Sequence, residues 1–445
     1  MKNEIINKQF WRYVLPSMFA MLLSGFYSII DGLFVGNAVG DTALGAINIA
    51  YPIQVILSSS AIGLGIGGSV VMSRNRGDGN ESKARHAMGS TLALLLIAGI
   101  TLTIILLFIH PALLVWLGAK GSLYAQAKSY IFVILLGGLF LMLGNGLNPI
   151  LRNYGKTYLA TCIMCSGLVT NIVLDYIFVF RFRWGLGGAG LATITAQAVV
   201  AVLSLLYIYA RELHSYSWKE AIPDFPLIKS IVRIGLSPFG QTLAPSIIIV
   251  ITNWMCIRYG GNSAVTIYSV VSYVLYSAQL LLQGIGDGVQ PLLSFYYGAG
   301  KEKNIHIIYR KAFYVTLATS FFLAGAVLIF INPLTTLFGI SDQIFTMTKE
   351  AILITTISFP FLGIVRLTSA VFYATEKTRN STFLVYLDPC FILPVCLFIL
   401  SSYLGLNGIW LAYPIAQIVL SGISLYMKNP RHSYIMLQKE QQALS

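Results

Sequence analysis

Charged side chains are scarce in this chain of 445 residues. Asp, Glu, Lys and Arg together make up 10% of it, whereas about 25% is usual in soluble domains. Hydrophobic residues make up 56%, and several apolar runs exceed the roughly 18 residues that indicate a transmembrane helix. The sequence therefore predicts an all-α integral membrane protein and excludes a water-soluble globular domain.

Side chains that commonly form metal centres or catalytic triads are also few. The five histidines lie in loops or at the ends of apolar runs: His86, His110, His214, His306 and His432. Cys162 and Cys165 have the spacing of a redox or zinc motif, but no second Cys or His pair lies nearby, so we interpret them as small apolar residues. The glycines of segment 63–68 lie in an apolar run without a Walker lysine, which favours helix packing over nucleotide binding. We therefore expect no enzymatic activity, no metal centre and no cofactor, and an ion gradient of H⁺ or Na⁺ as the energy source.

The apolar runs divide the chain into twelve predicted spans. They lie near residues 11–36, 44–72, 87–109, 124–150, 158–180, 187–210, 234–258, 264–298, 312–331, 349–374, 381–402 and 408–427. The loops predicted on one side of the membrane hold 22 Lys and Arg residues and those on the other side hold six, which places both termini in the cytoplasm by the positive-inside rule. This distribution also argues against a nucleic-acid partner. We predict an N-lobe over 1–210, a cytoplasmic linker over 211–232, a C-lobe over 233–430 and a cytoplasmic tail over 431–445.

The two halves of the chain repeat each other. When the sequence is aligned with itself at a shift of 221 residues and without gaps, many glycines and basic residues fall on one another. Further along, the second half lacks one residue, and the matching shift becomes 220. The superposed pairs include Arg12 with Arg233, Gly63 with Gly284, Gly77 with Gly298, Lys156 with Lys377 and Gln197 with Gln417. Each half holds six predicted spans, an even number, so the repeats are expected to insert in the same orientation around a central cavity. This design is typical of transporters.

The acidic residues of the spans do not follow the repeat. Asp31 superposes on Thr252, and Asp175 superposes on Val395 or Cys396. A carboxylate in a bilayer costs about 2.5–3.5 kcal/mol on an insertion scale, so such a residue is a candidate for function. Because these acids are confined to one repeat, the sequence predicts that the two halves have different functions.

Asp31 and Asp175 are predicted to lie at the same depth. They follow Arg12 and Lys156, respectively, by 19 residues, which at 1.5 Å per residue puts both about 28 Å above the cytoplasmic end of the helix. Asn171 lies one helical turn below Asp175 on the same face. Two carboxylates in a medium of low dielectric constant are expected to hold a proton or to bind a cation. The alternative is that each Asp only caps or hydrogen-bonds a helix.

Several of these features together resemble the MATE (multidrug and toxic compound extrusion) family of transporters. They are the twelve-span parallel duplication, Pro16 before Asp31 in the first span, Asn171-x-x-x-Asp175 in the fifth and the Gly-rich segment 284–300 at the end of the eighth. The sequence is similar in particular to the MepA-like branch of the bacterial DinF-type proteins. The resemblance covers essentially the whole chain and implies a MATE-like fold of two six-helix lobes.

The resemblance implies a cation or proton site in the N-lobe. Its members would be Asp31, Asn171, Asp175, Ala189 and Thr193. The resemblance also links Pro16 to bending of the first helix, which has a physical basis in the missing backbone donor of proline. The NorM-type pattern places a Glu in the seventh helix, but the equivalent stretch here, residues 251–254, contains no acid. This departure favours coupling through the first half of the chain.

A second group of polar residues lies in the spans of the second half and is expected to contact substrate. Its members are Gln283, Asp287, Gln290, Arg366 and Asp388. Two alternatives are open: Asp388, which precedes Pro389, caps a broken helix, or Arg366 neutralises one of the acids. Acids among aromatic side chains suit lipophilic organic cations.

These features predict a cation-coupled antiporter that exports amphipathic, cationic drugs or toxic organic compounds by alternating access. We expect a multi-pass monomer in a bacterial cytoplasmic membrane, with small organic cations and the lipid bilayer as its partners and no bound nucleotide. The alternative is a flippase of lipid-linked precursors or other amphiphiles from the same superfamily. Such flippases typically carry additional spans and a strongly basic cavity.

Overall fold

The computed structural model describes residues 2–39, 41–211, 224–337 and 342–428. Within these ranges, the side chains of residues 2, 3, 26–34, 36–38, 41, 42, 44, 337, 342 and 343 are not described. Most of the predicted linker and the tail predicted over 431–445 therefore lie outside the described residues, as does the side chain of Asp31. The division into an N-lobe and a C-lobe on either side of that linker stays a prediction.

The first half of the chain consists of seven described α-helices and one π-helical turn. The α-helices are α1 Lys2–Val39, α2 Asp41–Gly77, α3 Glu81–Trp116, α4 Gly121–Leu136, α5 Gly138–Asn153, α6 Thr157–Asp175 and α7 Gly185–Arg211. The π-helical turn Tyr176–Arg181 continues α6 directly.

The second half has a similar order of elements. Its α-helices are α8 Phe225–Gly298, α9 Glu302–Leu337, α10 Asp342–Thr356, α11 Phe359–Ala374, α12 Thr378–Leu387, α13 Leu393–Leu404 and α14 Leu406–Lys428. A second π-helical turn, Asp388–Ile392, joins α12 to α13. Gly261 divides α8 into two helices, because its φ of +61° is a left-handed conformation that glycine adopts without a steric penalty.

The described helices match the predicted spans. Eight of them are long and apolar enough to cross a membrane, or ten if each of two bent pairs counts as one span. The bent pairs are α4 with α5, at 60°, and residues 344–356 with α11, at 42°. Every predicted span lies within one described helix, one bent pair or one helix continued through a π-turn, and α8 contains two of them. The described residues form no strand, and the all-α membrane fold is confirmed.

One boundary of the predicted linker needs correction. The sequence predicts linker through residue 232, but α8 already begins at Phe225. Pro226 lies in the first turn of α8, where its fixed φ favours the helix and its missing N–H is not needed. Ile231 is fully buried, so this first part of α8 packs against the protein.

The described chain forms two compact units. The first unit comprises Met1–Leu243 and Gln290–Ile305, and the second comprises Ala244–Val289 and His306–Ser445. Within the first unit, a Cβ added at Gly65 would lie 2.2 Å from the carbonyl oxygen of Gly146. Contacts this close between backbones require glycine, so the Gly-rich segment 63–68 is confirmed as a packing motif.

Candidate functional site

Helices α6 and α7 pack closely at two points in the first unit. A Cβ at Gly167 of α6 would lie 2.4 Å from Val200 Cγ2 of α7. At the other end of the contact, a Cβ at Gly188 would lie 3.2 Å from Phe178 Cβ. The two helices therefore run antiparallel, and between these points the residues on the same helix faces as Gly167 and Val200 lie on the contact.

Four of the five residues of the predicted N-lobe site lie between these two points. Asn171 and Asp175 follow Gly167 by one and two helical turns, and Thr193 and Ala189 precede Val200 by about two and three turns. All four residues are buried: Asn171 is 1% exposed, Thr193 is 4% exposed, and Asp175 and Ala189 are 0% exposed. The Thr193 hydroxyl donates a hydrogen bond to the carbonyl oxygen of Ala189, with an O···O distance of 3.0 Å. The structure thus brings these four residues together.

The Asn171 amide is poorly satisfied by the described part of the protein. Neither Nδ2 nor Oδ1 of Asn171 has a hydrogen-bond partner among the described residues. The α-helix changes to a π-helical turn directly after Asp175, and such turns are frequent at functional sites. Carboxylate, amide and carbonyl oxygens are the ligands that hard cations prefer. The group can therefore hold a cation, or it can hold a proton on the carboxyl group.

The backbone of residue 31 lies at a comparable height on the neighbouring helix. The Thr161 hydroxyl donates a hydrogen bond to the Pro16 carbonyl, 3.0 Å away, and α1 contacts both α6 and its π-turn. Measured from this bond, Asp31 lies 15 residues further along α1 and Asp175 lies 14 residues further along α6. At 1.5 Å per residue these distances are about 22 Å and about 21 Å. Pro16 itself lies inside a continuous helix, and bending of α1 there stays a prediction.

A second cluster of buried polar residues lies inside the second unit. A Cβ at Gly286 of α8 would lie 3.1 Å from Ala370 Cβ of α11, which brings Asp287 close to Arg366. Both side chains are 6% exposed, and Gln283 Nε2 donates to Asp287 Oδ1 at 2.9 Å. Arg366 interacts electrostatically with Asp287 and also with Asp388 of the π-turn.

Asp388 is held by a residue that the sequence did not suggest. Gln417 Nε2 of α14 donates to Asp388 Oδ2 at 2.8 Å. Asp388 is the C-cap residue of α12, and the chain continues there through the π-turn into α13 without a break. The one signal for Gln417 in the sequence is its superposition on Gln197 in the repeat.

Gln290 has a different environment from the other predicted substrate residues. It belongs to the first unit, where its amide exchanges two hydrogen bonds with the amide of Asn153, at 3.0 and 3.2 Å. It also contacts the Ser294 hydroxyl at 3.1 Å. Its amide is therefore engaged in packing between helices.

Thr252, the counterpart of Asp31 in the repeat, is also buried. It lines a small cavity in the second unit together with Tyr268, Thr355 and Tyr413. The walls of this cavity contribute hydroxyl groups and apolar side chains but no acid. Among the described residues, no group of three or more His, Cys, Asp or Glu side chains could hold a metal ion.

Comparison with known proteins identifies the family. The MatE family model matches residues 16–177 and 240–397. The chain belongs to the MatE family. The multidrug export protein MepA of Staphylococcus haemolyticus (strain JCSC1435) is 26% identical over 428 residues, which cover 96% of this chain and 94% of that protein. MepA of Staphylococcus aureus (strain NCTC 8325 / PS 47) is 26% identical over 414 residues, covering 93% and 91%.

Solved structures show the same fold. An outward-facing conformation of a multidrug resistance MATE family transporter of the MOP superfamily matches with a TM-score of 0.91. The sequence identity is 24%, and the match covers 97% of both chains. The predicted MATE resemblance and fold class are confirmed. As a MatE protein, this chain is a membrane transporter and not an enzyme, as the sequence predicted.

Proposed function

We propose that this MatE transporter exports amphipathic organic cations from the cytoplasm in exchange for a proton or a sodium ion, by alternating access. Similarity to MepA, a protein named for multidrug export, supports the substrate class. The observation that carries the coupling is the buried group of Asn171, Asp175, Ala189 and Thr193, with an amide that the described protein leaves unsatisfied.

The coupling ion would bind to this group and to Asp31. Burial of a carboxylate in the membrane is unfavourable, and a bound proton or cation offsets that cost. Each elementary charge that moves inward gains about 2.3 kcal/mol per 100 mV. A hundredfold substrate gradient costs about 2.7 kcal/mol, at about 1.4 kcal/mol per tenfold. Because a monovalent organic cation carries one charge outward, the first ion balances that charge and contributes only its concentration gradient, while a second ion adds about 2.3 kcal/mol per 100 mV.

The polar cluster of the second unit would supply the counter-charge for the substrate. Asp287 and Asp388 carry two negative charges when ionised, and Arg366 carries one positive charge. The net charge of −1 suits a monovalent organic cation in a site of low dielectric constant. Gln290 is left out of this group because its amide is paired with Asn153.

Uptake of a fluorescent organic cation into inverted membrane vesicles tests the proposal, with a pH gradient and a sodium gradient imposed one at a time. We expect one of the two gradients to drive accumulation. Asp31→Asn and Asp175→Asn should each abolish it, because the site loses a carboxylate, while the folded protein stays in the membrane. Asp78→Asn, which changes an exposed acid in a loop, is the matched control and should transport normally.

Two results would contradict the proposal. If neither gradient supports accumulation of any of several chemically different cations, the proposed exchange is wrong. If Asp31→Asn and Asp175→Asn both transport at the wild-type rate and expression level, coupling does not depend on the first-unit site.

A further inference from the structure

We propose that Asp388 and Gln417 form a second proton-binding site, inside the second unit and independent of the N-lobe group. The site would take one proton on the Asp388 carboxyl group and hold it as a hydrogen-bonded pair of a carboxylic acid and an amide. Asp388 also belongs to the polar cluster proposed to bind the substrate, but the experiment below requires neither that substrate nor the coupling ion.

The hydrogen bonds of the pair are half complete. Gln417 Nε2 donates to Asp388 Oδ2, but Asp388 Oδ1 and Gln417 Oε1 have no hydrogen-bond partner among the described residues. Asp388 is 7% exposed and Gln417 is 0% exposed. A carboxylate oxygen and an amide oxygen are both acceptors, so neither atom satisfies the other. An unpaired buried acceptor is destabilising.

A single proton would provide the missing hydrogen bond of both Asp388 Oδ1 and Gln417 Oε1. When it binds to Asp388 Oδ1, that atom becomes an O–H donor, and Gln417 Oε1 is the open acceptor of the same partner. The O–H would donate to the amide oxygen while the amide N–H continues to donate to Oδ2. The acid and the amide would then share two hydrogen bonds in a ring, and no buried polar atom of the pair would be left unpaired.

The charges around Asp388 also favour a proton over a metal ion. The charged and titratable groups that interact with Asp388, or with Arg366 beside it, are Arg366, Asp287, Tyr373, Cys396 and Tyr413. With both carboxylates ionised, this cluster has a net charge of −1, and one proton makes it neutral. A hard metal cation would need about six oxygen ligands, more than the acid and the amide supply.

The backbone and the neighbouring hydroxyl groups fit a site that exchanges protons. Asp388 begins a π-helical turn, an irregularity that is frequent at functional sites. Tyr413 lies one turn before Gln417 on α14 and lines the small cavity that also contains Thr252 and Thr355. Hydroxyl groups both donate and accept hydrogen bonds, so this cavity places groups that can exchange protons one helical turn from Gln417.

Infrared difference spectroscopy on the full chain in lipid bilayers tests the proposal, with spectra recorded between acidic and alkaline buffers. Among the carbonyl bands of protonated carboxylic acids that disappear on deprotonation, we expect one that belongs to Asp388. Asp388→Asn should abolish this band. Gln417→Leu should keep the band but move it to higher frequency, because the acid loses its hydrogen bonds to the amide.

Two control variants separate this site from the others. Asp175→Asn should keep the band, since that carboxyl group belongs to the first unit, and Asp287→Asn should keep it because the proton is on Asp388. If the band survives in Asp388→Asn, or if Gln417→Leu leaves its frequency unchanged, the acid–amide pair is not the proton site. Should Asp388→Asn fail to fold, the frequency in Gln417→Leu decides the question alone.

Discussion

Replacement of Asn171 by leucine should stabilise the ion-free protein and abolish coupled export. The Asn171 side chain is 1% exposed, and neither polar atom of its amide has a hydrogen-bond partner among the described residues. A buried polar group left unpaired costs about 1–3 kcal/mol. Leucine has a side chain of similar length and no polar atom, so the free energy of unfolding of Asn171→Leu should exceed the wild-type value by about 1–3 kcal/mol.

Asn148 provides the matched control for this substitution. It is also buried in the first unit, at 6% exposure, but its Nδ2 donates to the carbonyl oxygen of Ala160 at 3.1 Å. Asn148→Leu removes that bond, and hydrogen bonds between transmembrane helices contribute about 0.6 kcal/mol on average. The two Asn→Leu changes should therefore shift stability in opposite directions.

The assay is unfolding of the purified protein in mixed micelles, with and without the coupling ion. A ligand at 100 times its Kd stabilises a protein by about 2.7 kcal/mol, so the ion should stabilise the wild type and Asn148→Leu but not Asn171→Leu. Vesicle uptake on the same variants reports coupled export. If Asn171→Leu is less stable than the wild type and still exports, the amide has a structural role, and the assignment of the site is wrong.

Three further predictions concern topology, division of labour and packing. A cysteine introduced at Lys83 should be protected from an impermeant reagent added outside the cell, while one at Lys120 should react; labelling at Lys83 would reverse the predicted orientation. Asp287→Asn should weaken binding of a monovalent cationic dye, measured by fluorescence titration, and leave ion binding nearly unchanged; the reverse pattern would remove this acid from the substrate site. Gly65→Ala should lower unfolding stability by about 1–3 kcal/mol through overpacking, because its Cβ would lie 2.2 Å from a backbone oxygen. Gly325→Ala, with no atom within 4 Å of its Cβ, should raise stability by about 0.8–1 kcal/mol through helix propensity; equal effects of the two changes would contradict the packing argument.

The features that the sequence predicted correctly are those that depend on local spacing. Long apolar runs predict membrane helices because a helix of fixed rise must match the thickness of the bilayer. The four-residue spacing of Asn171 and Asp175 puts both on one face of a helix for the same reason. Ala189 and Thr193 were assigned through the family resemblance, and the structure places them opposite that face.

Other features depend on which helices meet, and local spacing does not specify that. Gln290 lies one turn from Asp287, so the sequence grouped them, but Gln290 pairs with Asn153, 137 positions away along the chain. Likewise, Gln417 pairs with Asp388 across 29 positions.

The π-helical turn that begins at Asp388 is another feature that local sequence did not predict. Pro389 after Asp388 suggested a broken helix, since proline removes a backbone donor. The structure instead accommodates the proline by widening one turn and continuing the helix. Composition, the apolar runs and the internal repeat alone determined that this chain is a duplicated bundle of membrane helices. Only tertiary packing decided which buried polar atoms find partners and which are left unpaired, because a hydrogen bond between helices depends on their relative position and not on the sequence of either one.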